Sequence, residues 1–191
     1  MPALFPQIGE EPLVQKYNFA MAGRDEPVEL FVSKNLEGSI ITGSFASAGS
    51  EGAVTVDGVT LGTLMACAGI ETIDLLKIDI EGAEVDLFEA ASDGLLSNIT
   101  QITVEFHDFV QGVISTRQVE EIKERLQGLG FYAIKFSRSL NTDVLFINRK
   151  LSHLSRAEYW YIKYIVKYTR GIARIFQKLI ATKRWLSLSR I

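Results

Sequence analysis

The chain has little cysteine, histidine or proline. Its 191 residues include one cysteine (Cys67), two histidines and four prolines. A single cysteine excludes an intrachain disulfide and a cysteine-based metal cluster, and the apolar neighbours of Cys67 predict an inert residue packed in a helix. Three prolines fall at positions 2, 6 and 12, so we interpret residues 1–16 as an irregular lead-in.

Long uncharged apolar runs are also missing. The N-terminus has no basic region followed by an apolar run, which a secretory signal requires, and no run is long enough to cross a bilayer. The sequence therefore predicts a cytoplasmic protein. At 191 residues, with 47% hydrophobic and 23% charged residues, the chain is long enough and apolar enough to bury one sizeable core. We interpret it as one domain with an appendage.

Positive charge is scarce in the first 148 residues. They hold 9 Lys and Arg against 22 Asp and Glu, a net charge of −13, whereas residues 149–191 hold 11 against 1, a net charge of +10. This asymmetry predicts an acidic body at 17–148 and a basic tail at 149–191.

The tail has the pattern of a basic amphipathic helix. Between 159 and 180 its cations recur at spacings of three and four, and apolar and aromatic residues fill much of the remainder. The cations of this face are Lys163, Lys167, Arg170, Arg174 and Lys178. Such a helix would lie on an anionic membrane surface, here the inner one, or pack on an acidic protein surface. No nucleic-acid partner is predicted.

The first part of the body favours short strands. Residues 19–22 and 28–32 are apolar runs joined by a turn-rich link, which predicts a β-hairpin. Residues 37–58 are rich in Gly, Ser and Ala, and we interpret them as a flexible loop or a lid over a substrate. Thr60 to Ala68 then predicts a short helix that ends at Gly69.

Strands and helices alternate in the rest of the body. The pattern predicts a strand at 72–79, a helix after Gly82, a strand at 99–106, a helix from a capping box at 115–118, and strands at 131–136 and 143–148. The link between the last two strands is so short that they must be antiparallel. This order is that of an α/β protein, the second half of a doubly wound sheet.

Polar side chains follow two of these strands. Asp79 and Glu81 lie at the exit of the strand at 72–79, and Glu105 and His107 at the exit of the strand at 99–106. Ligands bind in the crevice beyond the carboxyl ends of strands in open α/β sheets, so we expect these groups to converge there. We predict Asp79, Glu105 and His107 as catalytic residues, with His107 as the base because its unperturbed pKa lies near neutrality. Asp79, Glu81 and Gly82 are predicted to bind substrate or cofactor.

Each of these assignments has a competing interpretation. A single histidine at a strand end often serves only as a structural hydrogen-bonding group, and Glu84, in the first turn of a helix, is predicted to interact with the helix dipole. Asp79 and Glu81 also resemble the acid-x-acid arrangement that holds a divalent metal in sugar-nucleotide transferases, since alternate strand positions share a face. A metal-dependent glycosyltransferase is therefore a weaker hypothesis. No nucleotide-binding context accompanies it, so we predict no metal.

Two blocks of this sequence resemble a known family. The block from Asp74 to Glu84, followed by the one from Ile102 to His107, resembles the paired signature of the FkbM family of methyltransferases, and the similarity covers residues 17–148. The resemblance implies a Rossmann-like class I methyltransferase fold and S-adenosylmethionine as cofactor. It also implies O-methylation of a hydroxyl on a sugar, a glycan or a secondary metabolite.

The chain departs from the family pattern at two places. Gly62 stands after Leu61, where the family has an aspartate. The opening strand and glycine-rich turn that cradle S-adenosylmethionine are not found, since the one Gly-x-Gly, at 128–130, ends a helix. The sequence thus predicts a partial sheet in which the strand at 74–79 keeps an unpaired edge. The alternative function is a non-catalytic module that binds a partner or a membrane through its basic tail.

Overall fold

The computed structural model describes residues 13–33, 39–41, 50–108, 114–136, 141–166 and 168–169. These residues form two four-stranded sheets and a set of helices, a mixed α/β arrangement. The strands are β1 (Ala20–Met21), β2 (Pro27–Ser33), β3 (Ser39–Ile41), β4 (Ser50–Val59), β5 (Ile73–Ile78), β6 (Ile99–Val104), β7 (Phe131–Lys135) and β8 (Val144–Asn148). The helices are α1 (Leu61–Ala68), α2 (Glu84–Ala90), α3 (Asp93–Ser97), α4 (Thr116–Gly128), α5 (Arg149–Ser152) and α6 (Arg156–Tyr161), and a π-helical turn covers Ile162–Val166.

The second sheet, in the order β5-β6-β8-β7, forms the centre of the molecule. β5 and β6 are parallel, whereas β8 runs antiparallel to both β6 and β7, which confirms the predicted final hairpin. β6 is an interior strand because it pairs with β5 on one side and β8 on the other, and its residues Ile99, Ile102 and Val104 are all buried. β5 has no second neighbour among the described strands, and Leu75 on it is 59% exposed, in agreement with the predicted unpaired edge.

The helix ends follow their sequence signals. The hydroxyl of Thr60 accepts a hydrogen bond from the Thr63 amide at the start of α1, and Gly69 ends that helix with a φ of 66°. Ser115 and Gln118 form the predicted capping box of α4. Hydrophobic spacing along α4 then buries one face of the helix against the core.

Arg125 of α4 holds the C-terminal end of α2 in place. Its guanidinium donates to the carbonyl oxygens of Phe88, at 2.5 Å, and Ala91, at 2.6 Å. A third contact, of 2.7 Å, joins it to the carboxylate of Asp93 at the start of α3. These hydrogen bonds satisfy carbonyls that a helix end leaves without partners, so they fix the position of α2.

The first sheet, in the order β1-β4-β2-β3, differs from the prediction. β1 pairs with β4 in parallel, and β2 pairs with β3 and β4, so the predicted hairpin between 19–22 and 28–32 is wrong. β3 and most of β4 lie inside the segment predicted to be a loop or lid, and that interpretation is wrong for these strands. Residues 42–49 of the segment lie outside the described residues. β4 forms because Val54 and Val56 suit a strand once β2 supplies a partner, and Val59 pairs with Met21 of β1.

Cys67 is exposed on α1, so its predicted packing in the helix is wrong. The buried face of α1 carries Leu61 and Met65, which are four residues apart. Cys67 is two positions beyond Met65 and therefore lies on another side of the helix.

Only the first part of the basic tail can be compared with its prediction. Residues 149–166 form α5, α6 and the π-helical turn, in which Lys163 lies. The other four cations of the predicted face, and residues 1–12 of the predicted lead-in, lie outside the described residues. Among the helices that are described, none is both long and apolar enough to span a bilayer. The predicted boundaries at 16 and 148 stay predictions.

Candidate active site

The turn between β5 and α2 has unusual backbone geometry. After the buried end of β5 at Ile78, the chain passes through Glu81, with a φ of 52°, and Gly82, with a φ of 107°. Glycine adopts such a φ freely, but for a glutamate the left-handed region is uncommon and costs about 1 kcal/mol or more. A residue in this conformation persists only where the surrounding structure holds it, and such residues are found most often at functional sites.

His107, just beyond the end of β6, is held between two carboxylates. Its side chain is 7% exposed, Nδ1 lies 2.7 Å from Oε1 of Glu84, and Nε2 lies 3.2 Å from Oε2 of Glu81. Glu84, in the first turn of α2, is fully buried, and the same Oε1 accepts a hydrogen bond of 3.2 Å from the Gly82 amide. The imidazole therefore joins the start of α2 to the turn that follows β5.

These carboxylates change the proton affinity of the ring. The hydrogen bond to Glu84 raises the pKa of His107, burial acts in the opposite direction, and the charges of Glu84, Glu81 and Glu105 raise the pKa further. The net direction is upward. At neutral pH the site thus favours a protonated imidazole more than an isolated histidine would.

Asp79 completes the group on the exposed side. Its Oδ2 accepts a hydrogen bond of 2.8 Å from Nζ of Lys77, and this contact with Asp79 raises the pKa of Lys77. One ligand atom from each of Asp79, Glu81 and His107 lies within 4.8 Å of the others, a spacing that a bound cation could span. The structure thus brings these three predicted residues together at the ends of β5 and β6.

Two further predicted residues have different positions. Glu105 is half-buried and does not belong to the three-residue group, although its charge acts on both His107 and Lys77. The Gly82 amide donates to Glu84, so a bound ligand would have to compete for it. The catalytic and binding roles assigned from the sequence stay predictions.

Glu84 contacts His107, and the sequence interpretation did not predict this contact. Glu84 does lie in the first turn of α2, as predicted, but it is buried and hydrogen-bonded to His107. A signal was present, since Leu87 and Phe88 follow it by three and four positions and form the buried face of α2. A glutamate on an apolar helix face needs a buried partner.

A cleft of about 460 Å³ lies between the link from β1 to β2 and helix α2. Its polar lining includes Arg24, Glu26, Glu29, Asp86 and Glu89. Asp79, Glu81, Glu105 and His107 are not part of the lining. The cleft and the histidine site are therefore separate, and both lie next to helix α2 and the residue before it, Ala83.

Both strand ends lie within a segment of the chain that matches the model of a known family. Residues 6–132 match the model of the methyltransferase FkbM domain, which is well over half of the chain. The chain belongs to the FkbM methyltransferase family. Methyl transfer with S-adenosylmethionine as the donor is the chemistry of this family.

One curated relative of this FkbM chain is the AMB antimetabolite synthetase AmbE of Pseudomonas aeruginosa. The two are 38% identical over 63 residues, which is 33% of this chain and 3% of the synthetase. The matched segment is therefore a third of this chain and a very small part of that relative. No solved structure matches the chain.

The glycine turns of this FkbM chain do not form the usual cradle for S-adenosylmethionine. Such a cradle is a glycine-rich turn after a parallel strand, whose backbone amides approach the ligand. Gly23 follows β1, but a Cβ placed there would lie 3.2 Å from Cβ of Asp86, so this turn packs on α2. Gly82 follows β5, and its amide donates to Glu84. Within the described residues, neither turn fits the cofactor in this way.

Proposed function

We propose that the chain takes part in O-methylation of a hydroxyl on a sugar, a glycan or a secondary metabolite, and that the described residues form the acceptor side of the site. The supporting observation is His107, held between Glu84 and Glu81 at the carboxyl ends of β5 and β6. The order β5-β6-β8-β7, with its final antiparallel hairpin, supports the finer assignment to a Rossmann-like class I methyltransferase fold. S-adenosylmethionine is the expected methyl donor, through family membership.

His107 can accept the hydroxyl proton in its neutral form, and because its pKa is raised this form gains population as the pH rises. A hydroxyl oxygen becomes a better nucleophile as a base removes its proton, so the base must lie within hydrogen-bonding reach of it. In the neutral ring, Nδ1–H donates to Glu84, which leaves the lone pair on Nε2 directed towards Glu81. The hydroxyl proton would pass to this Nε2, and the buried Glu84 fixes the required tautomer.

Asp79 and Glu81 support an acceptor with several hydroxyls. Both are carboxylates near Nε2, and carboxylates accept hydrogen bonds without donating them. The hydroxyls next to the reacting one in a sugar are donors that match this arrangement. A polyol therefore suits this surface better than a single isolated alcohol does.

A labelled-methyl assay tests the proposal. The full chain would be incubated with methyl-labelled S-adenosylmethionine at millimolar concentration and with methyl glycosides and hydroxylated secondary metabolites as acceptors. We expect transfer to a hydroxyl acceptor, and a loss of about 10²-fold or more in kcat with little change in acceptor KM for His107→Gln. Glu124→Gln, at an exposed position of α4 that belongs neither to the cleft nor to the histidine cluster, is the matched control and should behave like the wild type.

Two results would contradict the proposal. One is an absence of labelled product with every hydroxyl acceptor. The other is a His107→Gln variant as active as Glu124→Gln, which would leave His107 with a structural role only.

The alternative function, a non-catalytic module acting through the tail, has its own supporting observation. Trp160, Tyr164 and Tyr168 are each about half exposed, at 50%, 48% and 53%, in the segment that begins the basic region. Aromatic side chains of this kind occur at membrane interfaces, where basic residues add attraction to anionic lipid. Tyr159, in contrast, stacks on Tyr132 of β7 with ring centroids 4.1 Å apart, so one side of α6 already packs on the body.

A further inference from the structure

We infer that Asp79, Glu81 and His107 bind a divalent cation that accepts both oxygen and nitrogen ligands, such as Mn²⁺ or Zn²⁺. Their ligand atoms lie within 4.8 Å of one another. Ligands about 2.1 Å from an ion are about 3.4 Å apart in a tetrahedral site, and in an octahedral site they are about 3 Å apart when adjacent and about 4.2 Å apart when opposite. The 3.2 Å between Nε2 of His107 and Oε2 of Glu81 is already close to the adjacent spacing, so small side-chain rotations complete the site.

Glu84 places the imidazole as a metal ligand. A histidine that binds a metal usually donates its other ring N–H to a carboxylate, which fixes the tautomer and orients the ring. Here Nδ1 is 2.7 Å from the fully buried Glu84, and Nε2 points to the carboxylates of the cluster. This is the arrangement that the ligand role requires.

The second oxygen of Glu84 shows that this buried carboxylate is only partly compensated, since the contacts with Nδ1 of His107 and the Gly82 amide both involve Oε1. Oε2 is buried and has no hydrogen-bond partner among the described residues. A buried carboxylate is costly unless its charge is compensated. A divalent ion on the far side of the imidazole would add positive charge to a region that also contains Asp79, Glu81 and Glu105.

Lys77 is the competitor for this ion. Its ammonium occupies Oδ2 of Asp79 at 2.8 Å, and both side chains are at least partly exposed. The ammonium can therefore move away when an ion binds. Removing it should strengthen binding of the ion, because one cation no longer competes with another for the same carboxylate.

The inference deepens the proposed function and, for its catalytic consequence, rests on it. An ion bound at Nε2 uses the lone pair with which His107 would accept a proton. The acceptor hydroxyl would then bind at an open position of the ion, which lowers the pKa of the hydroxyl, and its proton would pass to solvent water as the oxygen takes the methyl group. In the ion-free protein, His107 keeps the role of base.

Titration with Mn²⁺ tests the site directly. The full chain, first dialysed against a chelator, would be titrated with Mn²⁺ alone, and free ion would be followed by electron paramagnetic resonance. We expect one ion per chain, binding weakened at least tenfold in Asp79→Asn and His107→Gln, and tighter binding in Lys77→Met. Glu89→Gln should match the wild type. Asp79 is on the exposed side, so its variant stays informative even if His107→Gln fails to fold.

The outcomes separate this inference from the proposed function. No Mn²⁺ binding, or binding equally strong in Asp79→Asn and Glu89→Gln, overturns the inference. If methyl transfer continues undiminished in chelator, the proposed function holds without the ion. Binding that depends on Asp79, found without methyl transfer to any hydroxyl acceptor, supports the cation site and overturns the proposed function.

Discussion

Glu84 and His107 form a buried pair in which Oε1 and Nδ1 are 2.7 Å apart. The pair joins the first turn of α2 to the segment after β6, and the two residues are 23 positions apart in the sequence. The contact holds α2 against the segment that follows β6. It also orients the imidazole ring, whose other nitrogen, Nε2, faces Glu81.

The first prediction concerns the stability that this pair provides. Glu84→Gln should lower the free energy of unfolding by about 2 kcal/mol, since it removes a buried charge-assisted hydrogen bond and leaves the partly exposed Glu81 as the remaining carboxylate beside the ring. Urea unfolding, followed by circular dichroism, measures the change. Glu89→Gln, on the exposed side of the same helix, should stay within about 0.5 kcal/mol of the wild type. Equal stabilities for the two variants would mean that the pair contributes nothing.

The second prediction follows from the raised pKa of His107. A group with a raised folded-state pKa contributes stability that is fully present below its unfolded pKa, about 6.5, and that is lost as pH rises through the folded value. In the presence of a chelator, the stability difference between wild type and His107→Gln should therefore shrink as the pH rises above about 6.5. Urea midpoints across this range measure it. A difference that grows with pH would mean that the pKa is shifted downward.

The regular elements of the second sheet could be predicted because their signals are local. A strand followed by a helix at β5 and α2, and a capping box at Ser115, are visible within a few residues of sequence. The two antiparallel strands β7 and β8 follow from the short link between them. The order of these strands and helices along the chain can therefore be predicted without knowledge of their tertiary contacts.

The pairing in the first sheet could not be predicted in the same way. β1 pairs with β4 through Ala20 and Gly58, which are far apart in sequence, and a strand's stability depends on such partners. Glycine, serine and alanine in and before β4 hid its strand pattern. The Glu84–His107 contact was missed for a related reason, because the helix dipole offered a local explanation for Glu84.

The third prediction concerns the basic tail. Each cation near an anionic surface contributes about 1 kcal/mol, and exposed aromatic rings add apolar contact. We expect the full chain to sediment with vesicles of acidic lipid at low salt, less at high salt, and less for Trp160→Ala. Phe19→Ala, at another exposed aromatic position, is the control. Equal binding to neutral vesicles, or none to acidic ones, would favour packing of the tail on protein instead.

The last prediction is that the chain binds S-adenosylmethionine weakly or not at all, although its family uses this cofactor. Backbone amides can approach the cofactor only where a glycine turn is open, and the two turns in question are engaged by Asp86 and Glu84. Calorimetric titration of the full chain with S-adenosylmethionine, and with its demethylated product, measures the affinity.

A dissociation constant in the low-micromolar range would contradict this expectation and show that a donor site is formed in another way. Variants would then locate that site. Loss of affinity in Asp86→Asn would place the cofactor in the cleft beside α2, whereas loss in Asp79→Asn would place it at the histidine cluster. Either result would mean that side chains, in place of open glycine amides, hold the cofactor.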